Sequence, residues 1–255
     1  MKSLWKFLNT REENLQFLLL KPKNVVTPVI FQKIAVEIEM LSVFYGLLKF
    51  SDSDFKRKKT FKPFGKLAKL VNEVASLQQE EILLNQLFDK TQLIVYKRDV
   101  RKLKELKRDD YFSIVTEDFV TRLSEKKSEL EPILRKTGKK TVAEFLKKRK
   151  KKILKVLGKE ELSDSKITEL RTRLKEYNFL KTLNQKTKIK KDEFEQQLDA
   201  WNQKKQQISQ IQILIESGVF EKKELSLIKK AEAKLTEEAG NLQNTITEIA
   251  PKYSL

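Results

Sequence analysis

The sequence predicts an all-α protein made of two pseudo-symmetric antiparallel helical bundles with long helices. Six glycines and five prolines leave few breakers in 255 residues. Apolar residues recur at three- and four-residue spacing through most of the chain, the mark of helices with one buried face. A weak internal repeat sets one half against the other: Leu70 to Asn85 lies over Trp201 to Glu216 at an offset of 131, pairing Leu77 with Ile208, Gln79 with Gln210, Ile82 with Ile213 and Leu83 with Leu214. The chain is long enough for one large core or two bundle-sized halves. The expected division is 1–138 and 139–255, together forming one domain.

The elements follow in order. Residues 3 to 20 read as a first helix, apolar at Leu4, Phe7, Leu8, Leu15 and Leu18, and Thr27-Pro28 supplies an N-cap and first-turn proline for the next. That helix, 28 to 50, is apolar over so wide a surface that it predicts a central core position. Ser51 to Lys59 reads as a polar loop, 63 to 89 as a long helix, and 91 to 107 as another. In the latter, Lys97, Arg101 and Lys104 recur at four and three residues as one basic ridge. Leu93 to Tyr96 is locally β-prone. Tyr111 to Thr137 reads as helix with a break near Pro132, and Gly138 as a stop. Thr141 to Glu144 has the form of a capping box opening a helix that carries six successive cations, Lys147 to Lys152. Gly158 ends it, Ser163-Asp164 caps a helix to about 187, and helices of 190 to 217 and 221 to 250, separated by Gly218, complete the chain.

Formal charge is +18, the isoelectric point is near 9.7 and mean hydropathy is −0.53. The charge is concentrated mid-chain: residues 111 to 160 hold fifteen Lys and Arg against seven Asp and Glu, whereas 161 to 255 hold seventeen against fifteen. There is no cysteine and no histidine, which removes disulfides, thiolate chemistry, the commonest metal ligand and the commonest general base. No glycine-rich phosphate loop or serine elbow is present. Adjacent carboxylates such as Glu80-Glu81 and Asp109-Asp110 diverge on a helix. The expectation is a protein that is not an enzyme, with no cofactor and no metal site. The apolar stretch at the N-terminus is too short for a signal peptide, and no run reaches membrane-spanning length. A cytoplasmic, non-membrane protein is expected.

One phrase carries the most specific chemistry. In Lys166 to Leu180, Thr168, Arg171 and Lys175 fall within about 60° of one another, beside an apolar stripe of Ile167, Leu170, Leu174 and Tyr177. An Arg and a Lys on a helix commonly mark a solvated flank; here they border a buried seam where an anion could be held.

This phrase resembles the second signature of the CHAD family, helical domains named for their histidines, which reads roughly His-x-Leu-Arg-x-x-x-Lys-x-x-x-Tyr. Thr168 stands at the histidine place, Arg171 and Lys175 at the arginine and lysine, and Phe179 where an aromatic is expected. The first-half counterpart falls on Phe31 to Ser42, with Phe31 at the histidine place, Ile34 and Leu41 at arginine places, and Ile38 and Glu39 at paired basic places. Phe31 and Thr168 pair at an offset of 137. A further family phrase lies over Gln206 to Ile213, where Ile208-Ser209-Gln210 replace the aromatic, histidine and aspartate. The resemblance is to a degenerate member and spans roughly residues 25 to 250.

It implies paired four-helix bundles and non-catalytic binding of inorganic polyphosphate, or a similar polyanion, in a basic groove between them. It also implies association with polyphosphate granules. Arg171 and Lys175 are the contacts it carries over, joined by Lys66 and Lys69, which lie early in the repeat helix. Two alternatives stand beside this reading. One is nucleic-acid binding, favoured by the basic charge and the Lys147 to Lys152 run, although Phe31, Phe44, Tyr45, Phe61 and Phe64 look like core residues and not base platforms. The other is an eroded CHAD scaffold acting in protein–protein interaction, favoured by Ile34, Ile38, Glu39 and Leu41.

Overall fold

The computed structural model describes residues 2–125, 127–158, 161–184, 192–218 and 220–253. Its described residues form ten α-helices and two short 3-10 turns and contain no strand, so the protein is all-α. The helices are α1 (Lys2–Leu19), α2 (Pro28–Ser51), α3 (Arg57–Leu87), α4 (Ile94–Ile114), α5 (Glu117–Glu125), α6 (Glu131–Lys136), α7 (Lys139–Leu157), α8 (Asp164–Asn184), α9 (Glu193–Glu216) and α10 (Lys222–Ile249). They divide into two compact units. The first comprises Met1–Glu81, Arg98–Lys147 and Phe179–Lys186; the second comprises Ile82–Lys97, Lys148–Asn178 and Thr187–Leu255. Segments from both sides of residue 138 contribute to each unit.

The first unit is organised by α2, which buries residues around most of its circumference, as its wide apolar surface predicts. Phe31, Ile34, Leu41, Phe44 and Leu48 join Leu8 and Leu15 of α1, Phe64, Leu67 and Val71 of α3, and Leu180 at the end of α8 in one core. Each such side chain contributes about 1.5–3 kcal/mol by leaving water. Helices α1 and α2 run antiparallel: the Phe7 and Phe44 rings lie 5.4 Å apart, and Asn14 donates to Glu37 at 3.4 Å. Tyr45 is ringed by Phe55, Phe61 and Phe64.

In the second unit α9 lies antiparallel to both neighbours. Lys204 pairs with Glu238 of α10 at 2.5 Å, and Arg171 of α8 pairs with Asp199 at 2.6 Å. Ile167, Leu170, Leu174, Trp201, Ile211, Leu214, Ile228 and Ile246 are buried among the apolar residues of this unit. Asp192 opens α9 with a capping box, accepting from the Glu195 backbone N–H at 2.9 Å while Glu195 reaches back to the Asp192 N–H. Gly218, just beyond α9, has φ +66°, a left-handed conformation that an L side chain adopts only with strain.

Several expected boundaries shift. Helix α3 begins at Arg57, so Lys58 and Lys59 are helical instead of looped. Pro63 sits inside the helix and forfeits one backbone bond, a loss confined to its second turn. Helix α4 runs to Ile114, and what reads as one helix from 111 to 137 is α5, a 3-10 turn at Ser128–Leu130, and α6. Thr116 makes the break: its Oγ1 accepts from the Phe119 N–H at 3.3 Å, capping α5. The Thr141–Glu144 capping box does not form. Helix α7 already begins at Lys139, with the Val142 N–H bonded to the Gly138 carbonyl. Ile94 to Tyr96 is helical despite its β-propensity. The expected end of α8 near 187 and the start of the following helix at 190 lie outside the described residues.

Candidate polyanion-binding surfaces

On α8 the cations of the sequence signature are engaged inside the second unit. Arg171 Nε donates to Asp199 Oδ1 at 2.6 Å, with both side chains about three-quarters buried. Lys166 donates to Glu169 at 2.6 Å, and Arg173 grips the same carboxylate through Nε at 2.9 Å and Nη2 at 2.6 Å. These hydrogen bonds, from Lys166 first and then Arg173, lower the Glu169 carboxyl to a pKa of about 2. Arg149 of α7 meets Glu176 at 2.6 Å, and Lys205 of α9 meets Asp164 at 2.5 Å. Lys175 is half-buried and has interactions of its own. Thr168, at the histidine place, is exposed and donates its hydroxyl proton to the Asp164 carbonyl at 2.9 Å. The Arg171–Asp199 and Lys205–Asp164 pairs lie on one side of α8, and the Lys166–Glu169–Arg173 and Arg149–Glu176 groups on the opposite side.

The first-half counterpart is core. Phe31, Ile34, Ile38 and Leu41 are buried, and only Glu39 faces solvent. No cation could occupy the four buried places without paying the cost of burying a charge. Phe44, Tyr45 and Phe64 are buried as well, and Phe61 stacks on Phe64 at 5.3 Å. The expectation that these aromatics are core residues holds for all of them except the half-buried Phe61.

The basic ridge expected on α4 does not form. Lys97 is buried and gives its protons to the carbonyls of Phe88 at 2.9 Å and Asp89 at 2.8 Å. Arg101 and Lys104 both clamp Glu81 of α3, at 2.7 and 2.6 Å. Burial pushes the Glu81 carboxyl up, but the hydrogen bonds from Lys104 and Arg101 outweigh it and hold the pKa below the usual range. Lys97 and Lys104 brace the chain from within, while Arg101, more than half exposed, holds Glu81 from the solvent side.

An open, acid-free row of positive charge lies on α3. Lys66 and Lys69 are exposed, as are Lys58, Lys59 and Lys62. A helical turn of 100° per residue gathers all five within about 100° on one face, over a rise of roughly 16 Å. The core-facing residues Thr60, Phe64, Leu67 and Val71 occupy the opposite side. No Asp or Glu occurs from residue 55 to 72. Among the described residues, the side chains of Lys58, Lys59, Lys62 and Lys66 make no ion pair, and Lys69 has only Glu73 at 4.0 Å, with its own side chain 81% exposed. Lys58, Lys59 and Lys62 were not apparent as site residues while Lys56 to Lys59 read as loop. The recoverable signal is the four-residue spacing Lys58-Lys62-Lys66 in an acid-free stretch. A second group lies on α7, where Lys139, Lys140, Lys147, Lys148, Lys151, Lys152 and Lys155 are exposed around Glu144.

Superposed on the crystal structure of the CHAD domain from the plant Ricinus communis, the chain gives a TM-score of 0.71 over 99% of its own length and 92% of that chain, at 11% sequence identity. The protein has a CHAD-like fold. No family model matches the sequence, and no curated protein matches it. Among the described residues no helix is long and apolar enough to cross a membrane.

Proposed function

We propose that the protein binds inorganic polyphosphate, or a closely similar polyanion, without turning it over, and that the α3 lysines supply the principal attraction. The observation that carries this reading is the acid-free row of Lys58, Lys59, Lys62, Lys66 and Lys69. A row of point charges on a rigid helix suits a uniform polyanion, whose binding gains free energy from released counterions and needs no sequence readout. The ligand class is the one implied by resemblance to the CHAD family. Arg171 and Lys175 enter as secondary contacts: Arg171 shares its charge with Asp199, which binds its Nε–H and repels a phosphate.

The burial of Phe31, Phe44, Tyr45 and Phe64 weighs against nucleic acid, because single-stranded binders use exposed rings as stacking platforms and no exposed ring lies beside the α3 lysines on that helix. Titration with polyphosphate, alongside single- and double-stranded DNA of matched charge, tests the reading. Preferential binding of polyphosphate, with the polymer recovered at unchanged length, is expected. Tighter binding of DNA, or shortening of the polymer, would refute it.

A further inference from the structure

The α1–α2 pair of the first unit leaves an apolar face uncovered. Phe17 is 67% exposed, Val29 54% and Val36 45%, and these three line one open groove of about 510 Å³ together with Leu18, Gln32 and Lys33. Val29 and Val36 stand two turns apart on the same side of α2, and Phe17 faces them from α1. Exposed apolar residues scattered singly are ordinary, but a contiguous patch in a groove marks an interaction site.

The charges around the groove indicate its occupant. Glu37, at its edge, has its carboxylate engaged by Arg11 at 3.1 Å and by Asn14 at 3.4 Å. Lys33 is exposed and without an ion pair among the described residues, and Lys21 holds its ammonium 4.2 Å from the Phe17 ring centroid. Lys21 and Lys33 thus put positive charge at the Phe17 and Val29 end of the groove, with the exposed Glu13 one turn further back along α1. A second copy of a chain carrying +18 would be repelled by its own net charge.

We infer that this groove docks an acidic amphipathic helix from a partner protein. Its apolar residues at i, i+3 or i+4, and i+7 would seat between Phe17, Val29 and Val36, with carboxylates beside Lys21 and Lys33. Helix-in-groove recognition uses this spacing.

Fluorescence anisotropy with the full chain tests the inference. The probe is a labelled peptide of about five helical turns, with leucines in that register and glutamates elsewhere. A peptide of the same composition with the leucines scrambled controls for attraction to the basic protein at large. The ordered peptide should bind at least tenfold tighter than the scrambled one. Val36→Glu and Phe17→Ser should each abolish that difference, and Lys33→Glu should weaken the ordered peptide alone. Replacing Lys58, Lys62 and Lys66 by alanine should leave the difference intact, which separates this site from the polyanion surface. Equal binding of the two peptides, or indifference to both Val36→Glu and Phe17→Ser, would overturn the proposal. So would concentration-dependent dimerisation of the free protein that Val36→Glu abolishes, since the occupant would then be a second copy.

Discussion

Arg171 and Asp199 lie 2.6 Å apart, from Nε of the guanidinium on α8 to Oδ1 of the carboxylate on α9. The Nε–H of Arg171 is thereby committed to Asp199, and a phosphate approaching the rest of the guanidinium meets the repulsion of that carboxylate. Asp199→Asn keeps the side-chain shape and removes the competing charge. Polyphosphate affinity at low salt should therefore rise several-fold in this variant, measured by titration calorimetry, if Arg171 is a secondary contact. In stability, Arg171→Ala should cost about 1 kcal/mol by urea denaturation, the upper end for a pair still partly in contact with water.

Ile34 stands where the CHAD resemblance places an arginine, yet it is fully buried. Ile34→Arg forces a guanidinium into an apolar core without a partner and should destabilise the protein by more than about 4 kcal/mol. Circular dichroism on heating is the check. A folded variant with improved polyphosphate affinity would mean that this position still opens onto a ligand.

The all-α class and most helices were legible because apolar periodicity is a local signal, and Thr27-Pro28 marks the start of α2 as read. What stayed hidden depends on distant partners. Nothing near Arg101 and Lys104 announces that Glu81, some twenty residues earlier, will take both charges, and nothing near Arg171 announces Asp199. A run of cations in sequence does not separate internal braces from open surface. Lys66 and Lys69 were legible as exposed lysines, but the proline at 63 disguised the preceding turns of α3 and with them Lys58, Lys59 and Lys62.

Glu12 gives the fold a pH dependence near neutrality. Burial raises its pKa to about 7, against the pull of Lys127, whose Nζ lies 3.6 Å from Oε2. A folded-state pKa above the unfolded value means that the folded state binds the extra proton between about pH 4.5 and 7. The stabilisation is therefore complete below the unfolded value and is lost as pH rises through about 7. A shift of this size corresponds to a few kcal/mol at most, roughly 3. Chemical denaturation at pH 5 and pH 8 should show the wild type weaker at pH 8, with Glu12→Gln removing most of the difference. An unchanged difference in that variant would place the pH dependence elsewhere.

The most direct test of polyanion binding through α3 is the salt dependence of polyphosphate affinity in the wild type and in the Lys58→Ala, Lys62→Ala, Lys66→Ala triple variant. An equal-charge control carries Lys222→Ala, Lys229→Ala and Lys230→Ala on α10. If the α3 lysines touch the polymer, the triple variant should lose at least tenfold in affinity, and its log–log salt slope should flatten by about two to three. The control should lose less than threefold, with its slope nearly unchanged. Equal losses in both variants would make the attraction a diffuse property of the net charge, and an unaffected α3 variant would contradict the assignment outright.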